Sequence, residues 1–486
     1  MELSEIIVFV IYLGFMLGVG VYFFFKSRHG GEKTYFLGDR QMGPWVGGRS
    51  AGASDMSAWL LMGLPTSIYA FGLGQIWIPV GLAIGYALSW IIEAPRLRRF
   101  SIVANDSITI PQYLTNRFLS SSHALQVICA VVFLVAYTIY CASSIKACGT
   151  LFHTVIGLET TTAMYLAALI IVGYTFLGGF SAVCWTDFFQ GMLIFVAMMI
   201  APIFAAAALD SSATVEFTEN YWNPFSDWTE IVSGLAWGLG YFGMPHIIIR
   251  FMSLKSQKTL KQSAKIGIVW TVLVLVFAAL IGVIGRMFLG FDESINENSL
   301  VFIAIVRKIF PGVISGILLS AVLAASMSTA DSQLLSAASA FASDVYKPVF
   351  RKNKAKDGEM LWIGRVVVLV LAIVALIVAS NPNAGSIMDL VSNAWGLFGS
   401  AFGPVILLSL FWKRLSFKGA LAGIIVGAVV DAVWYAFLSF TGIYELAPGF
   451  IAGLLAAVIV SLVTEAPNAE VEELFDRAVR YDEEEE

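Results

Sequence analysis

Long apolar runs separated by short polar connections dominate the pattern along this chain. A run of about twenty apolar residues is long enough to cross a bilayer as a helix. The pattern predicts thirteen such spans, at about 5–25, 44–67, 73–93, 123–148, 160–181, 187–209, 229–251, 266–290, 311–342, 361–380, 386–411, 419–439 and 447–464. We therefore expect an all-α integral membrane protein with one transmembrane domain, residues 1–464, and a tail at 465–486.

Composition agrees with this class. The chain is 58% hydrophobic and 13% charged, with a mean hydropathy of +0.81, whereas soluble domains are about half apolar and a quarter charged. The four cysteines lie in or beside apolar runs without the spacing of a metal site, and we expect small buried residues. The first run has no basic segment before it, so we expect a retained helix rather than a signal peptide.

Basic residues are concentrated in every second connection, and this pattern predicts the orientation of the chain in the membrane. Of the 29 Lys and Arg residues, 24 fall in every second connection and in the tail. The positive-inside rule then places the N-terminus outside and the C-terminus inside the cell membrane, as an odd number of spans requires. The tail, which ends in Tyr-Asp-Glu-Glu-Glu-Glu, is an acidic charge run, and we expect it to be a solvated, disordered end.

Two predicted spans are interrupted by helix-weakening residues, and they stand five spans apart. The residues are Gly47, Gly48 and Gly52 in the earlier span, and Gly238, Gly240, Gly243 and Pro245 in the later one. Paired interruptions in two halves of a membrane chain point to a transport site, because unwound backbone frees carbonyls and amides for ions and substrate. Close helix packing through small residues is the alternative interpretation.

Asp55 is the only acid of the earlier interrupted span. A carboxylate at the centre of a bilayer costs ~3 kcal/mol, so such acids usually mark an ion or substrate path. Pairing with Arg49, the nearest base in sequence, would instead make Asp55 a static strut.

A polar face interrupts the apolar span at 311–342. Ala325, Ser328 and Thr329 stand at i, i+3 and i+4, so one carbonyl and two hydroxyls share a helix face. These neutral oxygens form half of a cage for a small hard cation such as sodium. Hydroxyls that bond back to their own helix are the alternative, and the role of the neighbouring Asp331 stays open.

Four segments, 50–57 (Ser-Ala-Gly-Ala-Ser-Asp-Met-Ser), 178–190, 237–246 and 324–329 (Ala-Ala-Ser-Met-Ser-Thr), closely resemble the sodium/solute symporter family. Within it, the chain resembles the bacterial sodium/proline symporters over nearly its whole length. The resemblance implies thirteen helices with a leucine-transporter-like five-plus-five inverted repeat that contains broken helices. The repeats would be about 44–209 and 229–411, with additional helices at 5–25, 419–439 and 447–464.

The resemblance also implies the roles of particular residues. Those for sodium are the carbonyls of Ala53, Met56 and Ala325 and the hydroxyls of Ser328 and Thr329, with Asp55 supporting. Those around the substrate are Ser57, Tyr140, Trp237, Tyr241 and Pro245. Asp187 is a candidate for a second ion route or, alternatively, the cap of span six. Arg40 is a candidate for gating or coupling, or a plain topology charge.

The function implied is uptake of L-proline coupled to sodium by alternating access, in the cell membrane. The expected partners are proline, the sodium ion and lipid, with no nucleic acid and no obligate protein partner. Gly238-x-Gly240 follows no predicted strand, so a dinucleotide-binding enzyme is not expected. Two alternatives stay open: a sodium symporter for another small solute, such as a sugar, sialic acid or pantothenate, and a passive channel or membrane sensor.

Overall fold

The helices of the computed structural model follow the apolar runs. The structure describes residues 3–27, 31–177, 179–210 and 215–481. Gly178 of the segment 178–190 and residues 482–486 of the tail therefore lie outside the described residues. The helices are α1 Leu3–Ser27, α2 Glu32–Leu37, α3 Pro44–Asp55, α4 Leu64–Phe71, α5 Trp77–Leu88, α6 Ala94–Val103, α7 Ile110–Arg117, α8 Ala124–Ile156, α9 Thr160–Leu177, α10 Phe180–Ala207, α11 Trp228–Ala236, α12 Pro245–Ser253, α13 Gln257–Leu289, α14 Glu293–Glu297, α15 Val301–Ile309, α16 Gly312–Phe341, α17 Asp357–Ala379, α18 Ile387–Phe411, α19 Phe417–Val433, α20 Leu446–Val463 and α21 Ala469–Arg480.

Tighter and wider helical turns link several of these helices into longer rods. The 3₁₀ turns are Gly38–Arg40, Leu73–Ile76, Trp237–Phe242 and Ser439–Thr441, and the π turns are Trp59–Gly63, Ser89–Glu93, Ala342–Phe350 and Trp434–Leu438. Within the described ranges there is no strand, and the one isolated bridge joins Met42 to Leu254. The expected all-α class is therefore confirmed.

Fewer helices meet the length and apolarity needed to cross a membrane than the sequence pattern predicts. Ten helices of the described chain are long and apolar enough to cross a membrane, and the bent pair Trp228–Phe242 and Pro245–Ser253 raises the number to eleven. The predicted count of thirteen is not confirmed. Two predicted spans account for the difference from eleven. The span 44–67 is divided into α3 and Trp59–Phe71, neither of which spans alone, and the span 160–181 contains the apolar helix Thr160–Gly173, which is shorter than the 18 residues required.

Both predicted interruptions are real breaks in the backbone. Helix α3 ends at Asp55, because Met56 leaves helical geometry with φ −77° and ψ 72°. The later rod breaks at Gly243 and Met244, where Met244 is extended, and the two pieces meet at 43°. A Cβ on Gly243 would lie 2.6 Å from the backbone of α18, so only glycine permits this approach.

Segments predicted to lie inside the cell contact one another at one end of the molecule, here called the basic end. It comprises residues 31–43, 94–122, 254–257, 343–360, 412–418 and 465–481. Arg98 Nε donates to the carbonyl of Leu254 over 2.9 Å, and Lys413 pairs with Asp476 over 2.7 Å. Connections predicted outside meet elsewhere, as where the N–H of Asp292 donates to the Tyr69 hydroxyl over 2.8 Å. The predicted inner and outer connections therefore lie in different parts of the molecule, as expected when successive helices cross the membrane in opposite directions.

The tail is a docked helix rather than the disordered segment that its charge suggests. In α21, Val471, Leu474, Phe475 and Ala478 form one apolar stripe, and all four are buried. Phe475 packs edge-on against Phe100 of α6, with ring centroids 5.2 Å apart. The expectation of disorder is wrong for residues 469–480, because the helical period of the apolar residues outweighs the acidic composition.

Candidate functional site

The predicted sodium ligands of α3 and α16 lie against each other. Ser328 Oγ is 2.9 Å from the carbonyl oxygen of Ala53 and 3.2 Å from that of Ala325, and all three residues are fully buried. Met56 lies at the end of α3 and is also fully buried. Helix α16, the most deeply buried of the candidate spans, thus presents its polar face to the broken end of α3.

Asp55 contacts a predicted substrate residue, not Arg49. Its Oδ2 accepts a hydrogen bond from the hydroxyl of Tyr241 over 2.5 Å. The Arg49 guanidinium lies 5.4 Å from the ring centres of Trp45 and of Phe188 instead. The interpretation of Asp55 as a strut paired with Arg49 is therefore wrong, because α3 directs the two side chains to different neighbours.

Several buried polar atoms around this break have no partner in hydrogen-bond geometry within the part of the chain that the structure describes. They are Asp55 Oδ1, Ser57 Oγ, Tyr140 Oη and Thr329 Oγ1. Each buried polar group left unsatisfied costs about 1–3 kcal/mol, so each of these atoms requires a partner such as a water, an ion or a polar substrate. Thr329 in particular does not bond back to its own helix, whereas Ser328 does, to Ala325. The site has the donors and acceptors for a cation beside a polar substrate.

Aromatic rings form the other half of the site. Trp237 is 5% exposed, and Tyr241 packs edge-on against Tyr86 with ring centroids 5.1 Å apart. Pro245 begins α12 directly after the break. The next residue, His246, has its Nε2 3.2 Å from the carbonyl of Ser54, so it is a hydrogen-bonded packing residue between the two broken helices.

Three further aromatic residues surround Trp237, and sequence reasoning missed them: Trp59, Trp395 and Tyr444. The Trp395 indole Nε1 donates to the carbonyl of Trp237 over 2.9 Å. A Cβ on Gly240 would lie 2.0 Å from that nitrogen, so Gly240 makes room for Trp395. The glycine signalled a close approach, but nothing in the sequence identified the neighbour.

Asp187 pairs with Arg250, which sequence reasoning also missed. The Nη2 of Arg250 is 2.9 Å from Asp187 Oδ2 and 2.6 Å from Ser332 Oγ, and its Nε donates to Ser50 Oγ over 3.1 Å. Arg250 is 1% exposed and Asp187 is fully buried. The interpretation of Asp187 as a helix cap is wrong, because α10 begins at Phe180, two turns earlier.

Arg40 is a buried contact residue at the basic end. Its guanidinium donates to Asp106 over 2.9 Å, to the carbonyl of Met252 over 2.6 Å and to that of Ser107 over 2.8 Å. Burial lowers the pKa of Arg40, while the Asp106 carboxylate acts in the opposite direction. Arg40 also has a φ of 54°, in the left-handed region that is costly for a side-chain-bearing residue. Arg40 is therefore a buried link between three segments at the basic end and not a solvated surface charge.

The chain is similar to known proteins along nearly its entire length. A family model described as the sodium:solute symporter family matches residues 35–427. The osmoregulated proline transporter OpuE of Bacillus subtilis is 41% identical over 477 residues, covering 96% of each chain. The high-affinity proline transporter PutP of the same organism is 42% identical, covering 95% of this chain and 98% of its own. The sodium/proline symporter of Salmonella typhimurium is 40% identical, covering 97% and 96%.

Two solved structures share the fold. One is a sodium-coupled sialic acid symporter in a substrate-bound, outward-open state, with a TM-score of 0.79 and 20% identity over 96% of this chain and 99% of its own. The other is Mhp1, a nucleobase-cation-symport-1 family transporter in a closed conformation, with a TM-score of 0.58 and 18% identity over 90% and 97%. At 20% and 18% identity, the likeness shows a shared fold alone.

Proposed function

Since this chain belongs to the sodium:solute symporter family, we propose that it carries L-proline into the cell together with sodium by alternating access. The protein is a multi-pass membrane transporter, not an enzyme. Relatives named proline transporters or sodium/proline symporters align with nearly all of the chain and support proline as the substrate. The basic end faces the cytoplasm in this proposal, with the N-terminus outside.

We further propose the finer architecture of thirteen crossings with a five-plus-five inverted repeat at about 44–209 and 229–411. The two breaks support it, because Met56 and Met244 interrupt the first helix of each repeat. The broken helices lie side by side, as the contact of His246 with the carbonyl of Ser54 demonstrates. Unwound backbone from both repeats then borders one site near the middle of the membrane.

One observation carries the proposal: the ion half and the aromatic half of the site share Asp55. Its carboxylate lies beside the Ala53 and Met56 backbone in sequence, and it accepts the Tyr241 hydroxyl. Sodium bound by Ala53, Met56, Ala325, Ser328 and Thr329 would join α3 to α16 and stabilise the buried charge. The ordered break would then bind proline more tightly, and by linkage proline would strengthen sodium binding equally.

Proline would lie against Trp237, Tyr241, Tyr140, Ser57 and Pro245. The aromatic faces can enclose the pyrrolidine ring, and the unwound backbone can receive its carboxylate. Release toward the cytoplasm requires the basic end to open, so the bonds of Arg40 to Met252 and Ser107 must break during the cycle. Arg40 is therefore proposed as a gating residue.

Uptake into proteoliposomes tests the function directly. With an inward sodium gradient, we expect labelled proline to accumulate above its outside concentration, and a sodium ionophore should abolish that accumulation. Excess unlabelled proline should compete, whereas sugars, sialic acid and pantothenate should not. Equilibration without accumulation would indicate a channel, absence of flux would indicate a sensor, and competition by another solute would replace proline as the substrate.

Thr329→Val should raise the sodium concentration for half-maximal uptake about tenfold, since loss of one oxygen ligand costs roughly 1.4 kcal/mol. Valine is close in shape to threonine, so the amount of folded protein should change little. Ser326→Ala is the matched control, because the Ser326 hydroxyl bonds within its own helix to Val322. An unchanged sodium requirement in Thr329→Val would remove this residue from the ion site.

A further inference from the structure

Tyr444 lies directly against the proposed proline site, although it belongs to the loop between α19 and α20. Its ring is stacked on the Trp237 indole, with centroids 5.0 Å apart and planes 21° apart. Both side chains are nearly buried, with Tyr444 8% exposed and Trp237 5% exposed. Tyr444 also follows residue 427, where the match to the family model ends. None of the residue roles that the family resemblance implies falls on Tyr444.

Hydrogen bonds to two different helices hold the Tyr444 ring in place. The hydroxyl donates to the carbonyl of Ser392 in α18 over 2.6 Å, and the backbone N–H donates to Ser233 Oγ in α11 over 3.0 Å. The same Ser233 hydroxyl donates to the carbonyl of Gly442 over 3.0 Å. The Tyr444 ring therefore has a preorganised position, because moving either its hydroxyl or its backbone would break a hydrogen bond.

Trp237 is thereby held between aromatic neighbours. Trp59 lies 6.1 Å from it and Trp395 lies 6.2 Å from it, measured between ring centroids. Tyr444 approaches it more closely than either and comes from the end opposite the basic end. A substrate ring packed against Trp237 must therefore fit within the space that Tyr444 leaves.

We propose that Tyr444 walls the substrate site on the side opposite the basic end and limits the size of the ring that the site admits. This inference rests on the proposed function, because it takes proline as the substrate. A pyrrolidine ring is compact, and a ring carrying a bulky substituent would collide with the tyrosine. Size selection of this kind acts by steric exclusion and not by an added attraction.

Competition by substituted prolines tests this role. The probes are L-prolines carrying a phenyl group at ring carbon 3, 4 or 5, each measured against labelled proline. In Tyr444→Ala we expect the inhibition constant of at least one probe to fall tenfold or more relative to wild type, with a rise of a few fold in the KM for proline. The sodium concentration for half-maximal uptake should stay within about twofold of wild type, because the hydrogen bonds and ring stacking of Tyr444 within the described chain join it to Ser392, Ser233 and Trp237, none of them a proposed ion ligand.

Two variants distinguish steric exclusion by the Tyr444 ring from a purely structural role of this residue. Tyr444→Phe removes the bond to Ser392 but keeps the ring, its stacking on Trp237 and the backbone bond to Ser233, so its selectivity should stay much closer to wild type than that of Tyr444→Ala. Tyr435→Ala removes an exposed tyrosine of the preceding π turn and should also leave selectivity unchanged. If Tyr444→Ala yields no folded protein, Tyr444→Leu takes its place, and we expect the same direction of change.

Three results would overturn the inference: unchanged relative inhibition in Tyr444→Ala or its leucine substitute, a relaxation of selectivity in Tyr444→Phe as large as that in Tyr444→Ala, or relaxed selectivity in Tyr435→Ala. Failure of the proposed function is a separate outcome, visible in the wild-type protein as an absence of sodium-dependent proline uptake. Selective admission of a bulky proline by the alanine variant, with wild-type sodium dependence, would support the role of Tyr444.

Discussion

Replacing Asp55 with asparagine is expected to reduce sodium-dependent proline uptake at least a hundredfold at low sodium, while folded protein persists in the membrane. The carboxylate is fully buried and has one oxygen without a partner. At an effective dielectric constant of about 20, a unit charge about 5 Å from a cation contributes ~3 kcal/mol. Asparagine removes that attraction, and because its side chain is nearly the same size as aspartate, the packing around it should be preserved.

The measurement is initial proline uptake into proteoliposomes across a range of sodium concentrations. In Asp55→Asn the half-saturating sodium concentration should rise, and high sodium should recover part of the rate. Asp344→Asn makes the same exchange at another buried aspartate, one whose oxygens already accept from Thr109 over 2.8 Å and from Gln126 over 3.4 Å. That control should keep the wild-type sodium dependence.

Tyr241→Phe separates the ion role of Asp55 from its contact with Tyr241. It removes the hydroxyl that bonds Oδ2 and leaves the carboxylate in place. We expect a higher KM for proline and a nearly unchanged sodium requirement at saturating proline. If the folded fraction of Asp55→Asn kept wild-type sodium dependence, Asp55 would be a structural residue only.

Replacing Arg250 with methionine should destabilise the protein by about 3–5 kcal/mol, because Asp187 would be left as an uncompensated buried charge. The guanidinium connects Ser50 of α3, Asp187 of α10 and Ser332 of α16. Methionine fills similar space without the charge. The apparent melting temperature in detergent, followed by size-exclusion chromatography after heating, should fall markedly.

The double variant Arg250→Met with Asp187→Asn identifies the cause. It contains neither charge, so most of the lost melting temperature should return. Arg250→Lys keeps the charge but not the three-way fork, and its stability should lie between wild type and Arg250→Met. If the double variant were as unstable as Arg250→Met, packing rather than charge pairing would account for the role of Arg250.

The pairing of Asp187 with Arg250 also bears on the proposed second ion route. Arg250 and Ser50 both bind Asp187 Oδ2, whereas Asp187 Oδ1 has no hydrogen-bond partner among the described residues. A cation at Oδ1 would lie close to the Arg250 charge, so Arg250 would weaken its binding unless it moved away. We keep the route as a hypothesis, and sodium binding to Arg250→Lys compared with wild type would test whether the strength of this pair controls it.

Local signals in the sequence predicted the helix face and the backbone break that border the proposed ion site. Ala325, Ser328 and Thr329 share a face because helical spacing alone sets their directions. The glycines around Asp55 and the Gly243-Met244-Pro245 segment predicted breaks, since these residues weaken or end helices wherever they stand. What spacing could not supply was the approach of Ser328 to the carbonyl of Ala53, a contact across 275 positions.

The aromatic side and the charge pairs were less accessible to sequence reasoning. Tyr444 meets Trp237 only because α19 and α20 pack back against the core, and no local pattern records that approach. Arg250 looked like one of the basic residues that set topology, yet it is buried against Asp187. For α21 the local signal was present but was not used. Its apolar residues follow a helical period in the sequence, yet its acidic composition led to the prediction of disorder.

The sequence by itself determined the membrane class, the approximate positions of the helices, the segregation of basic loops and the existence of two breaks. Each depends on residues near one another in the chain: apolar length, loop charge, and glycine or proline geometry. Only the tertiary structure decided that Asp55 contacts Tyr241 and not Arg49, that Asp187 pairs with Arg250, and that Tyr444 covers Trp237. Those outcomes depend on which helices lie side by side, and that is set by packing among distant segments rather than by local propensity.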